Sequence, residues 1–268
     1  MTDSVLIPPQ DFSLLDRPEI LSMMFYPRPD ATPAPAGAQD LMVPVGDGTA
    51  VHCRWHRLSA ESPAVLFFHG NGEVVAEYDG LAPVYHHYGL SLFAADYRGY
   101  GQSGGRPSFG AMLADALIVN RAFHETVDRA GGSTRFLMGR SLGGLSAVEI
   151  AARAPEHFAG LILESATAGA RGWNRFSRSG DDPAAWDALL EGQQAKLRAI
   201  TLPLLSIHGE WDELIPVDTA VEIQQWVGSM QKRLEVIPGA GHNDLLYRGP
   251  EQYFGAISAF VRDVAPPG

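Results

Sequence analysis

The run Gly139-Arg140-Ser141-Leu142-Gly143 places a serine between two glycines, directly after the apolar stretch Phe136-Leu137-Met138 and directly before a helical stretch, 144–153. In that strand–turn–helix context a Gly-x-Ser-x-Gly string forms a sharp turn whose strained backbone lifts the serine above a sheet. The flanking positions are glycine because side chains there would collide with neighbouring elements. The helix behind the turn directs the positive end of its dipole at the hydroxyl, where negative charge develops during attack on a carbonyl. Ser141 is therefore the candidate nucleophile; the bland reading is a glycine-rich turn with an inert serine.

A serine hydroxyl is a poor nucleophile at neutral pH, so a histidine must take its proton and a carboxylate must fix the histidine's tautomer. For a serine on such an elbow the partners follow in chain order as acid and then base, each on a loop at the C-terminal end of a strand. His242, in Gly239-Ala-Gly-His-Asn243, follows an apolar run ending at Ile237 and precedes a final helical segment, which makes it the candidate base. His208 ends a strand-like run and reads as a buried imidazole donating to backbone; His157 falls at a helix end. Asp212, just past the penultimate strand in His208-Gly-Glu-Trp-Asp212, is the candidate acid. Glu210 and Glu213 beside it are competitors, and Glu164, at the end of an earlier strand, is a rival site.

Acyl transfer also needs backbone N–H donors aimed at the developing oxyanion. The loop His69-Gly-Asn-Gly72 ends another strand, and Asn71 with Leu142 is the natural donor pair. His69 precedes the serine and reads as holding its own loop. The nine histidines contain no His-Glu-x-x-His pattern, and His86 and His87 are helix neighbours that face different directions, so no metal and no other cofactor is implied. The glycines of 99–104 lack the Gly-Lys-Ser/Thr ending of a phosphate loop and read as turns.

These residues must be carried by strands and helices. Short apolar runs at 64–68, 91–95, 134–138, 160–163, 204–208 and 233–237 alternate with longer amphipathic segments, which is the pattern of a parallel sheet covered on both faces. The expected fold class is α/β, a mostly parallel, doubly wound sheet with helices on both faces. Ahead of it, 41–45 and 50–55 flank Gly46-Asp47-Gly48 and predict an antiparallel hairpin. Residues 1–39 read as an N-terminal arm and a Pro/Ala-rich connector, and 40–268 as one domain. Within the arm, the apolar stretch 20–26 is expected to pack on the domain's own surface. Residues 166–198, the unusual insertion, form the candidate lid; they offer Trp173, Phe176 and Trp186 as substrate-binding residues, with Arg171, Arg175 and Arg178 between them.

The chain of 268 residues is 46% hydrophobic and 19% charged, which suits a single large core. Its 31 acidic against 20 basic residues give a formal charge of −11, which repels nucleic acid and anionic membrane surfaces and leaves a small-molecule substrate as the expected partner. Cys53, the single cysteine, cannot form an internal disulfide. No apolar run approaches the ~20 residues that span a bilayer, and no secretory signal pattern opens the sequence, so the expected location is cytoplasmic.

Together, His69-Gly-Asn-Gly72, Asp96-Tyr-Arg-Gly-Tyr-Gly-Gln-Ser-Gly104, Gly139-Arg-Ser-Leu-Gly143, His208-Gly-Glu-Trp-Asp212 and Gly239-Ala-Gly-His-Asn-Asp244 resemble the α/β-hydrolase superfamily over about residues 40–263, most of all its Bem46/ABHD17-like group. The resemblance implies a serine hydrolase of esters or thioesters that needs no cofactor, with nucleophile Ser141, acid Asp212, base His242 and oxyanion donors Asn71 and Leu142. The cysteine-rich N-terminal segment of the group's protein-depalmitoylating members is missing, so their substrate class does not carry over. A peptidase and a C–C bond hydrolase would use the same three residues; a non-catalytic binding protein on this scaffold would usually have lost one of them.

Overall fold

The computed structural model describes residue 7, residues 10–167 and residues 173–265. In chain order, helix α1 (Pro18–Met24) precedes strands β1 (Ala38–Gly46), β2 (Thr49–His56) and β3 (Ala64–Phe68), then α2 (Ala82–His87) and β4 (Ser91–Ala95). There follow α3 (Phe109–Arg129), β5 (Arg135–Arg140), α4 (Gly143–Arg153) and β6 (Phe158–Glu164). The chain ends with α5 (Pro183–Ala199), β7 (Leu204–Gly209), α6 (Asp218–Trp226), β8 (Lys232–Ile237), α7 (Leu245–Arg248) and α8 (Pro250–Val264).

The strands form one eight-stranded sheet in the order β1-β2-β4-β3-β5-β6-β7-β8. β1 and β2 form the antiparallel hairpin that the Gly-Asp-Gly turn predicts, and β2 also runs antiparallel to β4; the remaining neighbours are parallel. The alternation of side chains along each parallel strand builds two cores. Leu66, Phe68, Phe93, Leu137, Leu161 and Leu204 face one layer with α1, α3, α4 and α5. Val65, Phe67, Leu92, Phe136, Ile162 and Leu205 face the other, with α2 and α8. This is why the central strands read as unbroken apolar runs: both of their faces are dry.

Register then decides where chemistry can sit. Phe68 pairs with Gly139, Glu164 with Ile207, and Gly209 with Ile237, so β3, β5, β6, β7 and β8 finish at a common edge. The loops 69–72, 140–142, 165–167, 210–216 and 238–244 all emerge there. In an open α/β sheet this carboxyl edge is where ligands bind.

Candidate active site

Ser141 has φ of +51° at the junction of β5 and α4, a left-handed conformation that a non-glycine residue adopts only under constraint from its surroundings. Its N–H donates to Glu164 O (2.8 Å) and its carbonyl accepts from Gly144 N and Thr167 N (3.1 Å each), so both sides of the turn are held. The flanking glycines are steric necessities: a Cβ on Gly143 would collide with the Phe68 and His69 carbonyls, and one on Gly139 with the backbone of Gly143 and Gly144. The elbow thus packs onto the end of β3, bringing the serine beside the loop 69–72.

His242, on the loop after β8, has its Nε2 2.9 Å from Ser141 Oγ, within hydrogen-bond distance. Its Nδ1 lies 2.8 Å from Asp212 Oδ2. Asp212 is buried on the loop after β7, and its other oxygen accepts the N–H groups of Leu214 (3.0 Å) and Ile215 (2.8 Å). Burial alone would raise its carboxyl pKa, but hydrogen bonds from His208, His242 and Ile215 N outweigh that and hold it well below the usual carboxylate range. Asp212 is therefore ionised at neutral pH. His208 Nε2 lies 2.7 Å from Ile215 O and 3.4 Å from Asp212 Oδ2, so it braces the acid's loop.

Glu164, the rival for the acid's place, turns elsewhere: its carboxylate accepts from Arg140 Nε (3.1 Å) and from the Tyr253 hydroxyl (2.7 Å). His69 holds its loop through Nε2 to Asp96 Oδ1 (3.1 Å) and Nδ1 to Gly70 O (2.8 Å).

Asn71 and Leu142 line the same cavity as Ser141, a space of about 480 Å³. Among the described residues neither of their backbone N–H groups donates to another group of the chain, which leaves both free for an incoming oxygen. The Asn71 side chain has a different task. Its Nδ2 donates to Met24 O (2.9 Å), and its Oδ1 accepts from Tyr26 N (3.0 Å) and the Tyr100 hydroxyl (2.7 Å). The N-terminal arm is thereby fastened to the loop beside the serine, and Met23, Met24 and Tyr26 become part of the cavity wall.

The match of this arrangement to known proteins is broad. A family model described as "Serine aminopeptidase, S33" matches residues 60–179. Alpha/beta hydrolase domain-containing protein 17C of Xenopus tropicalis is 31% identical over 228 residues, which is 82% of this chain and 68% of that protein. The chain belongs to the α/β-hydrolase family, in its Bem46/ABHD17-like group. Protein bem46 of Schizosaccharomyces pombe is 27% identical over 206 residues, 75% of this chain and 68% of that one. Among solved structures, Est1E of Butyrivibrio proteoclasticus with bound ferulic acid superimposes at a TM-score of 0.69, with 20% identity, over 84% of this chain and 98% of that one.

In this α/β hydrolase the expected substrate-binding aromatics lie elsewhere than anticipated. Trp173 and Trp186 are buried in the core, Trp173 against Phe109 and Trp186 with its Nε1 donating to Asp181 Oδ2 (3.0 Å); Phe176 packs on the same core. None of the three is among the residues lining the cavity at Ser141. The reason is that the described part of the insertion packs against the N-terminal arm: Arg17 pairs with Asp181 (3.0 Å) and donates to Phe176 O (2.6 Å), while Arg178 pairs with Glu19 (2.5 Å). Arg175 from the insertion does reach the cavity, which Leu214, Ile215, Pro216 and Thr219 also line. Arg171 lies outside the described residues. The arm's contribution had a signal in the sequence, the apolar stretch 20–26, in which Ile20 and Phe25 are buried on the domain as expected while Met23 and Tyr26 stay exposed beside the cavity.

Proposed function

We propose that this α/β hydrolase cleaves carboxylic ester or thioester bonds through an acyl-enzyme on Ser141. The observation that carries the reading is the unbroken relay Ser141 Oγ to His242 Nε2 to His242 Nδ1 to Asp212, with hydrogen-bond distances of 2.9 and 2.8 Å at the two junctions. Asp212 accepts from Nδ1–H, which leaves Nε2 with a lone pair aimed at the serine hydroxyl. Ser141 Oγ attacks the substrate carbonyl while its proton passes to Nε2. The N–H groups of Asn71 and Leu142 take the oxyanion, and collapse expels the alcohol or thiol, which receives the proton from His242. Water then attacks the acyl group with His242 as base again, and the carboxylic acid leaves.

The cavity supports ester or thioester chemistry over the peptidase alternative on the same three residues. Half of its lining residues are apolar (Met23, Met24, Leu142, Leu214, Ile215, Pro216), and among the described residues its charged one is Arg175. Among the described residues no carboxylate lines the cavity to pair with the free amine of a peptide, whereas an acyl chain needs no such partner. The volume suits a small to medium acyl group. Hydrolysis of p-nitrophenyl esters of two to twelve carbons, by wild type and Ser141→Ala side by side, tests the reading. Turnover abolished in the variant supports it; equal rates for both proteins on every ester would overturn it and turn attention to amide or C–C substrates.

A further inference from the structure

Arg140 occupies the position just ahead of the serine in Gly139-Arg140-Ser141-Leu142-Gly143, and its side chain is only 12% exposed. Each of its three guanidinium nitrogens is engaged. Nε donates to Glu164 Oε1 (3.1 Å), Nη1 to Glu73, and Nη2 to both His242 O (3.2 Å) and Asn243 Oδ1 (2.9 Å). Glu73 in turn accepts from Gly70 N (2.8 Å) and the Tyr78 hydroxyl (2.6 Å), and Gly70 immediately precedes Asn71. The Gly70 backbone lies so close to Nη1 that a Cβ there would collide with it. Glu164, besides holding Nε, accepts the Ser141 N–H through its backbone carbonyl.

One planar group therefore touches the serine's own strand end and the histidine's loop directly, and the oxyanion loop through Glu73. Burial opposes a charge on Arg140, but Glu164 and Glu73 outweigh it and keep the guanidinium ionised. A buried ion cluster of this kind is weak evidence for stability, because desolvation consumes most of the attraction. What a guanidinium supplies that a point charge cannot is a rigid fork with donors in fixed directions.

We propose that Arg140 is a positioning residue for acyl transfer, holding the His242 and Asn71 loops in register with Ser141. The proposal rests on the Ser141 reading above. It concerns the turnover step and not the affinity for substrate, since Arg140 does not line the cavity at Ser141. A displacement of about 1 Å in a reacting group costs about 100-fold in rate. A separate cavity of about 200 Å³, lined by Glu73, Tyr78, Arg140, Glu164 and Tyr253, borders the cluster and gives a small cation access to the space that a truncated side chain leaves.

The test is steady-state hydrolysis of p-nitrophenyl butyrate by wild type, Arg140→Lys, Arg140→Ala and Ser141→Ala, with and without millimolar guanidinium chloride, alongside thermal melting of each protein. The expected result is a kcat lower by about 100-fold in both Arg140 variants with KM changed less than about twofold. Guanidinium should restore at least about tenfold in Arg140→Ala and nothing in Arg140→Lys or wild type. Should Arg140→Ala fail to fold, Asn243→Ala removes one of the fork's contacts without burying an unpaired charge, and a kcat several-fold lower at unchanged KM is expected there. Arg140→Lys turning over within about twofold of wild type would overturn the proposal, as would a loss in Arg140→Ala that guanidinium leaves unchanged in a protein that melts like wild type. If Ser141→Ala keeps wild-type activity, the acyl-enzyme reading itself falls; if only the Arg140 variants behave like wild type, that reading survives and the positioning role alone is lost.

Discussion

Asp212 Oδ2 lies 2.8 Å from His242 Nδ1, on a loop whose own backbone N–H groups, from Leu214 and Ile215, fix the other carboxylate oxygen. The carboxylate is thus oriented before any substrate arrives, and in the proposed mechanism it selects the imidazole tautomer that leaves Nε2 free to take the serine proton. Asp212→Asn keeps the shape and removes that selection, so kcat for a p-nitrophenyl ester should fall by about 10⁴. Glu164→Gln, which leaves the relay intact and Arg140 still paired with Glu73, should cost less than about tenfold. A larger loss in Glu164→Gln than in Asp212→Asn would reverse the assignment of the acid.

The elbow makes a separate demand on stability. Gly143 sits so close to the Phe68 and His69 carbonyls that a methyl group there displaces backbone and not merely a flexible side chain. Overpacking of this kind costs about 3 kcal/mol, and in a chain of this size that is about 10 °C in melting temperature. Gly143→Ala should show a loss of that order by calorimetry; melting within about 2 °C of wild type would mean that the elbow is looser than described.

How much of this was readable from the sequence depended on whether the signal was local. The parallel strands announced themselves because burial on both faces demands unbroken apolar runs, and β3 and β4 span the residues that the pattern marks. The serine, histidine and aspartate stood out because each sits at a strand end in a turn of recognisable chemistry, and the sheet register brings those three strand ends to one place. The substrate wall was not readable in the same way. Aromatic residues in an insertion suit a pocket and a core equally well, and which of the two Trp173 and Trp186 join is decided by the arm 160 or so residues earlier, through long-range pairs such as Arg17 with Asp181. Arg140 was hidden for a related reason: its partners Glu73, Glu164 and Asn243 come from three other segments of the chain, and no spacing links them.

The arm's place in the cavity wall gives a specificity prediction. Met24, just before the end of the arm's contact with Asn71, lines the space beside Ser141. Met24→Trp fills part of that volume, so kcat/KM for a ten-carbon acyl ester should fall at least about tenfold relative to the two-carbon ester, in keeping with the 1–3 kcal/mol that separates chains differing by little more than a methylene in an apolar pocket. An unchanged ratio would place the acyl chain against a different wall.

Acid stability should depend on a histidine far from the site. His124 on α3 packs its ring against Phe123, Phe158 and His157, and both ring nitrogens are buried without hydrogen-bond partners among the described residues. Burial first, then the nearby Arg135 and His157, push its pKa down from 6.5 to about 4, with Asp128 and Glu156 pulling weakly the other way. Between those two values the unfolded chain binds the proton and the folded chain does not, so stability falls as pH drops from about 6.5 towards 4. His124→Phe removes this linkage. The melting temperature of the variant should decline less steeply than that of wild type from pH 7 to pH 4.5, and parallel slopes would show that the ring is protonated in the folded protein.

The most direct measurement is covalent capture of the nucleophile. The protein is treated with a fluorophosphonate, its peptides are mapped by mass spectrometry, and residual hydrolysis of p-nitrophenyl butyrate is followed in the same samples. One phosphonyl group per chain on the peptide containing Ser141, with hydrolysis lost in proportion and neither event in Ser141→Ala, is the result expected of an acyl-enzyme at that residue. Labelling elsewhere, or full hydrolysis by a chain carrying the phosphonyl group on Ser141, would contradict it.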